Sequence, residues 1–124
     1  MVQRGVVIHQ GEVYWMTFSG EGSEPWGRRA ALVRQHNQFN RSRLNKVVVE
    51  AITSKLRYAT LPGNVRLRKG EANLPKPGVI NVTQIQMIDR TYLQEKIGTL
   101  PQRALRQVWE GVRLVLEADG AGRL

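Results

Sequence analysis

Several short strand-forming segments precede a single helix-forming segment in this chain. Large side chains alternate along Glu12–Phe18, which is typical of a β-strand packed on both faces. Further strands are predicted by the apolar runs at 29–35, 47–53, Val65–Leu67 and 78–88. Because strands that follow one another through turns and loops pair most simply side by side, the order predicts an antiparallel sheet.

Two polar signals predict where the later elements bend and turn. The strand at 78–88 is expected to bend near Asn81 or Thr83, where polar residues interrupt its apolar side chains. Asp89 follows that strand and is expected to cap a short helical turn that runs to Leu93, since its carboxylate can accept from free backbone N–H groups.

A terminal helix is predicted after residue 99. Thr99 and Gln102 have the spacing of a capping box, with Thr99 as the cap. Gly111 interrupts the helical pattern, which costs about 1 kcal/mol relative to alanine. The predicted apolar face consists of Leu105, Val108, Trp109, Val112, Val115 and Leu116.

These elements predict an α+β fold, in which a small bent antiparallel sheet or barrel carries the C-terminal helix packed on it. The length of 124 residues fits one domain, which we place at 1–118. Residues 1–10 fit either an N-terminal arm or a short edge strand. Residues 119–124 contain two glycines without periodicity and are expected to form a flexible tail.

The composition excludes several classes of chemistry. The chain has no cysteine, which removes disulfides and thiolate catalysis, and its two histidines, His9 and His36, leave few ligands for a metal site. We therefore expect no metal and no cofactor. Membrane-length apolar runs and a signal-peptide pattern are both missing from the sequence, so a cytoplasmic protein without membrane contact is expected.

Positive charge is concentrated in the first half of the chain. The net charge is +9, and the segment 28–69 alone holds eleven Lys and Arg residues against one acidic residue, Glu50. A cationic half joined to a nearly neutral half indicates a polyanionic partner, either nucleic acid or an acidic protein segment.

Polar groups gather in a Gly-rich loop and at the ends of the predicted strands. Arginine donates to phosphate in bidentate fashion, and hydroxyl and amide groups can hold phosphoryl oxygens or base edges. The candidate site residues are Ser23, Glu24, Arg28, Arg29, Thr53, Ser54 and Gln84.

Seven short motifs in register resemble the MazF/PemK toxins. The resemblance runs from about residue 11 to about residue 116, and together the motifs are far more specific than any one of them. They are Glu12-Val13-Tyr14-Trp15, Gly22-Ser23-Glu24, Arg28-Arg29 before Ala31-Leu32-Val33, Phe39-Asn40-Arg41-Ser42, Ile52-Thr53-Ser54, Leu61-Pro62-Gly63-Asn64-Val65 and Asn81-Val82-Thr83-Gln84-Ile85.

The resemblance implies a sequence-specific, ribosome-independent endoribonuclease on an SH3-like barrel. It further implies a homodimer that acts on single-stranded RNA and is neutralised by a MazE-type antitoxin with an acidic C-terminal segment. The implied chemistry is metal-independent attack of a ribose 2′-hydroxyl on the adjacent phosphate, which leaves a 2′,3′-cyclic phosphate and a 5′-hydroxyl end.

Residue roles follow from position within the matched motifs. Arg29 and Thr53 correspond to the catalytic pair. Ser23 and Gln84 correspond to groups that position the substrate. The remaining members of the set, Glu24, Arg28 and Ser54, are assigned to substrate binding, and the general base stays unassigned.

The chain departs from the family pattern beside its catalytic arginine. Ala30 stands where proline is usual, so the backbone that aims Arg29 is less restrained and Arg28 is a competitor for its role. His36 is read as a solvated loop residue, and Trp15 as a core residue. Two other functions use the same features: a non-catalytic SH3-like module that binds RNA or protein, and a gyrase-directed toxin of the CcdB type.

Overall fold

The computed structural model describes residues 7–18 and 27–117. The elements are β1 Glu12–Phe18, β2 Gly27–Val33, α1 Asn37–Asn40, β3 Lys46–Thr53, β4 Val65–Leu67, β5 Gly78–Asp89, β6 Leu93–Thr99 and α2 Gln102–Leu116, with short 3-10 turns at Leu56–Thr60, Glu71–Asn73 and Arg90–Tyr92. The six strands form one curled antiparallel half-barrel in the order β4-β5-β3-β2-β1-β6, and the long helix α2 packs on it. The predicted fold class is therefore confirmed.

Strand β6 was not predicted from the sequence. It pairs with β1 at the edge of the sheet, and Glu95 and Lys96 in its middle are exposed. An edge strand of this kind buries few side chains, so its alternating pattern is weak. Strand β2, Gly27–Val33, also starts and ends two residues earlier than the predicted 29–35. At the predicted end, the side-chain amide of Gln35 donates hydrogen bonds to Asn40 Oδ1 and to the Lys46 carbonyl.

One predicted cap is confirmed and the other is wrong. Asp89 Oδ1 accepts a 3.0 Å hydrogen bond from Thr91 N at the start of the turn Arg90–Tyr92. Thr99, by contrast, is the last residue of β6, where it pairs with Glu12. Helix α2 starts at Gln102 after Pro101, and no side chain in the described part of the protein caps it.

The described part of the predicted N-terminal arm, residues 7–10, packs against the sheet without forming a strand. Ile8 is fully buried, and Glu12 Oε1 accepts hydrogen bonds from His9 N at 2.7 Å and Tyr14 Oη at 2.9 Å. Burial alone would raise the pKa of Glu12, but these bonds and Lys96 Nζ at 2.9 Å lower it. Residues 1–6 and the predicted tail at 119–124 lie outside the described residues.

Helix α2 is rotated relative to the predicted apolar face. Val108 and Val112 are buried as expected, but Trp109 is 52% exposed and Val115 and Leu116 also face outward. The buried stripe includes Ala104 and Gly111, whose small size lets the helix approach the sheet closely. A Cβ atom on Gly111 would overlap the carbonyl of Gly63 and come within 3.0 Å of Val82.

The core beneath α2 contains a buried ion pair. Glu50 is fully buried, and its Oε1 lies 2.7 Å from Arg34 Nε. The Arg34 guanidinium lies 6.0 Å from the ring centroid of Trp109, so that it links the sheet to the helix. Burial raises the pKa of Glu50 to about 7, although Arg34 acts in the opposite direction.

Glu50→Gln is expected to flatten the pH dependence of stability. A raised carboxyl pKa means that the folded protein binds more protons than the unfolded chain between the ordinary value of 4.5 and about 7. The free energy of unfolding therefore falls as pH rises through that window, by about 3 kcal/mol more in the parent than in Glu50→Gln. Urea unfolding at pH 4, 6 and 8 measures the slopes, with exposed Glu95→Gln as the control; equal slopes in all three proteins would contradict the assignment.

Candidate functional site

A cleft of about 270 Å³ opens where strands β1, β2 and β3 meet the segment before β5. It brings together four residues of the predicted site, Arg28, Arg29, Thr53 and Ser54. The rest of its lining is formed by Trp15, Ala30, Ile52, Lys55, Leu74, Pro75, Lys76, Pro77 and Gly78.

Arg29 and Thr53 are held next to each other by strand register. Strands β2 and β3 pair Ala30 with Ile52, so the next position along the same register sets Arg29 opposite Thr53. Opposed residues of an antiparallel pair project to the same face with Cβ atoms about 5 Å apart. The two groups that lie 24 positions apart in the sequence can therefore act on one phosphate.

The hydroxyl of Thr53 is oriented by the turn that follows β3. Thr53 is buried, and its Oγ1 accepts a 3.1 Å hydrogen bond from Lys55 N. A hydroxyl that accepts from the backbone keeps its own hydrogen for donation. The Thr53 hydroxyl can therefore donate a hydrogen bond into the cleft.

Arg28 stacks on the side chain of Trp15. The Arg28 guanidinium carbon lies 4.6 Å from the ring centroid of Trp15, which is a cation–π distance. Trp15 packs against the core as predicted, but it also lines the cleft, which the sequence reading did not foresee. The indole thus supports Arg28 on one wall.

The opposite wall is the segment 74–78, which adds Lys76 to the cations of the site. The turn Glu71–Asn73 places this segment through two left-handed residues, Ala72 at φ 51° and Asn73 at φ 61°. Asn73 Nδ2 donates to the Ile97 carbonyl of β6 at 2.9 Å, which ties the wall to the far edge of the sheet. Lys76 was not singled out from the sequence, although a lysine between prolines in a loop marks an exposed cation.

The cleft is strongly cationic. Arg28, Arg29, Lys55 and Lys76 line it, and its described lining contains no carboxylate and no imidazole. Such a site can bind phosphate and stabilise negative charge. Among the residues described, no group of three or more His, Cys, Asp or Glu side chains is arranged to hold a metal ion.

Three predicted site residues are not brought to this cleft by the described structure. Ser23 and Glu24 lie outside the described residues. Gln84 is exposed on β5, in the bulge between Ile80 and Ile85 where the sequence predicted a bend, and it lies away from the cleft lining. The predicted bend is confirmed by this change of register, and the role of Gln84 stays a prediction.

His36 caps the N-terminus of the short helix α1. It is exposed, and its Nδ1 accepts a 3.0 Å hydrogen bond from Gln38 N at the start of α1. The ring nitrogen that caps the helix is occupied, which agrees with the interpretation of His36 as a solvated loop residue.

None of the described helices is long and apolar enough to cross a membrane.

A family of known proteins and several of its members match nearly the whole described part of this chain. The profile of the PemK-like, MazF-like toxins of type II toxin–antitoxin systems matches residues 9–116. Endoribonuclease MazF6 of Mycobacterium tuberculosis is 38% identical over 113 residues, which cover 90% of this chain and 99% of the relative. Endoribonuclease MazF of Staphylococcus saprophyticus is 30% identical over 111 residues, which cover 89% and 92%.

Solved structures show the same architecture. The MazE–MazF crystal structure from Deinococcus radiodurans matches with a TM-score of 0.72 at 22% identity, covering 92% of this chain and 99% of the matched chain. At that identity the likeness establishes the fold.

Proposed function

This chain belongs to the PemK-like, MazF-like toxin family of type II toxin–antitoxin systems, and on that premise we propose that it is an endoribonuclease that cuts single-stranded RNA in the cationic cleft. The observation that carries the proposal is that Arg29 and Thr53, which adjoin the paired residues Ala30 and Ile52, line one cleft together with the cations Arg28, Lys55 and Lys76. A cleft whose described lining lacks a carboxylate and an imidazole suits a reaction whose nucleophile comes from the RNA itself.

The proposed reaction is an internal transfer at phosphorus. The ribose 2′-oxygen gives its proton to a general base, which stays unassigned, and forms a bond to the adjacent phosphorus, while the bond from phosphorus to the 5′-oxygen of the next nucleotide breaks. That oxygen takes up a proton and leaves as a 5′-hydroxyl, and a 2′,3′-cyclic phosphate remains. No metal and no cofactor enters this scheme, and DNA is not cut because it lacks the 2′-hydroxyl.

Arg29 and Thr53 act on the charge that develops at phosphorus. Arg29 donates to the non-bridging oxygens of the five-coordinate transition state and protonates the leaving 5′-oxygen. Thr53 donates its free hydroxyl hydrogen to a non-bridging oxygen, since Lys55 N already occupies an acceptor site on Oγ1. Both interactions strengthen as negative charge builds up.

The other cleft residues bind and position the RNA. Arg28, steadied by Trp15, contacts a phosphate or a base face at the entrance. Ser54, Lys55 and Lys76 hold the flanking backbone. Ser23, Glu24 and Gln84 complete the substrate-binding set as predicted from the family motifs.

We propose that the active form is a homodimer. Apolar side chains remain exposed beside the buried Arg34–Glu50 pair: Ile85 is the cross-strand partner of Glu50, Met87 is 67% exposed, and Trp109 contacts Arg34. Monomers rarely leave such large side chains grouped in water. Light scattering of the purified protein tests this, with about twice the chain mass of 14.1 kDa expected.

The antitoxin proposed as partner is of the MazE type, with an acidic C-terminal segment. Its carboxylates complement the cations of the cleft, so that binding excludes RNA. The structural neighbour from Deinococcus radiodurans is a MazE–MazF complex. We place the pair in the cytoplasm, where messenger RNA is available.

Cleavage of a defined RNA tests the function. Purified protein in EDTA is incubated with a long, weakly structured RNA, and the cut ends are mapped by primer extension. Discrete cuts with cyclic-phosphate and 5′-hydroxyl ends are expected, and a single 2′-deoxy substitution at a mapped site should abolish that cut alone. Intact RNA with salt-dependent binding would favour the non-catalytic module, and inhibition of gyrase without cleavage would favour the CcdB-type toxin.

A further inference from the structure

A second groove, of about 730 Å³, lies between helix α2 and the edge strand β4, apart from the RNA cleft. We call it the arginine groove after Arg66, Arg103 and Arg106, which line it. Its remaining lining residues are Gly63, Asn64, Val65, Gln107, Glu110, Gly111 and Leu114. It shares no lining residue with the cleft.

One side of the groove is the outer edge of β4. Strand β4 pairs with β5 and ends the sheet, so within the described part of the chain its other edge has no strand partner. An open edge presents backbone N–H and C=O groups that an extended peptide can pair with. Val65 and Arg66 of this strand line the groove.

The other side is one face of α2. Arg103, Arg106, Glu110 and Leu114 recur at helical spacing, and they span about 16 Å along the helix axis. About five residues of an extended strand cover the same distance. The two sides come closest where Gly111 approaches Gly63.

The charge of the groove is positive and largely uncompensated. Arg66 and Arg106 form no ion pair with any described residue, and Arg103 lies 3.8 Å from the partly exposed Glu71. Glu110, the acidic residue in the lining, lies 3.6 Å from Arg113 outside the groove. Arg66 and Arg106, which have no ion-pair partner among the described residues, are therefore available to carboxylates of an added strand.

The lining favours a peptide over RNA. The described lining contains no aromatic side chain on which a base could stack, in contrast to the cleft with Trp15. Leu114 is exposed at one end and offers an apolar contact that a nucleic-acid backbone cannot use. An open strand edge is likewise a binding element for peptides.

We propose that the arginine groove binds an acidic, extended peptide segment of a partner protein, which adds to β4 as a seventh strand and places its carboxylates against Arg66, Arg103 and Arg106. The proposal stands on a surface outside the RNA cleft. It is therefore independent of the ribonuclease assignment.

Peptide binding to the whole chain tests the proposal. The probe is a fluorescein-labelled peptide of three Glu-Val repeats, about 20 Å long when extended, measured by fluorescence anisotropy. The double variant Arg66→Gln with Arg106→Gln is expected to bind it at least about tenfold more weakly. The matched control carries Arg43→Gln and Arg68→Gln, which remove two exposed arginines outside the groove, and should bind as the parent does.

Two further measurements distinguish strand addition from simple charge attraction. The bound probe is expected to slow amide hydrogen exchange in β4, and a version N-methylated at alternate residues should lose binding. Equal loss in the groove and control variants, or undiminished binding of the N-methylated probe, would overturn the proposal. So would a groove variant that binds a short RNA oligonucleotide more weakly but the peptide as before, since RNA would then be the occupant.

Discussion

Arg29→Ala is expected to lower the rate of RNA cleavage by about a thousandfold, and Thr53→Ala by about a hundredfold. Both side chains donate to oxygens that become more negative in the transition state, so their removal affects the chemical step more than RNA binding. Single-turnover cleavage of a fluorescent RNA with the protein in excess measures this step directly. Binding to a 2′-deoxy analogue of the substrate, which cannot react, should change by less than about tenfold.

Controls separate catalysis from general loss of positive charge. Arg113→Ala removes an exposed cation on α2, away from the cleft, and should cleave at the parental rate. Arg29→Lys keeps the charge without the planar fork and is expected to lie between the parent and Arg29→Ala. If Arg28→Ala rather than Arg29→Ala abolishes cleavage, the catalytic role moves to Arg28, which lines the same cleft.

Gly111→Ala is expected to destabilise the protein by about 3 kcal/mol, although alanine is the better helix former. In the fold, a methyl group at this position overlaps the carbonyl of Gly63 and crowds Val82, so that helix and loop must move apart. Because Gly63 has φ +83°, its loop has little freedom to absorb the shift. Urea unfolding followed by circular dichroism measures the change.

A matched substitution on the same helix gives the comparison. Gln107→Ala changes an exposed residue and should alter the free energy of unfolding by no more than about 0.5 kcal/mol. Gly111→Ala with stability equal to or above the parent would show that the close approach of α2 and the 61–64 loop does not constrain this fold.

Local patterns predicted most of the strands because their residues face a core on at least one side. Glu12–Phe18 and Val65–Leu67 have the predicted bounds, and Asp89 caps its turn as expected. Strand β6 was not predicted by its local pattern because its middle lies exposed at the edge of the sheet. The Thr99 capping box failed because pairing with β1 held Thr99 in a strand.

The candidate site was predictable to the extent that motifs in register singled out its residues. Arg28, Arg29, Thr53 and Ser54 were selected at strand ends, and all four line one cleft, while their roles stay predictions. Lys76 and the second role of Trp15 were missed, since their contribution depends on a loop wall and a stacked neighbour rather than on local spacing. The arginine groove joins β4 to α2 across 37 positions from Arg66 to Arg103, and no local pattern connects them.

By itself, the sequence determined the fold class and the family and singled out the groups of the candidate site, because periodicity, turn residues and motif order are properties of neighbouring residues. Tertiary structure alone decided the assembly of Arg29 and Thr53 in one cleft, the rotation of α2 and the close approach of Gly111 to Gly63. These features depend on the distance between elements remote in the chain, which is set by packing of the whole core. A glycine that weakens an isolated helix is thus expected to stabilise the fold where that helix passes closest to Gly63.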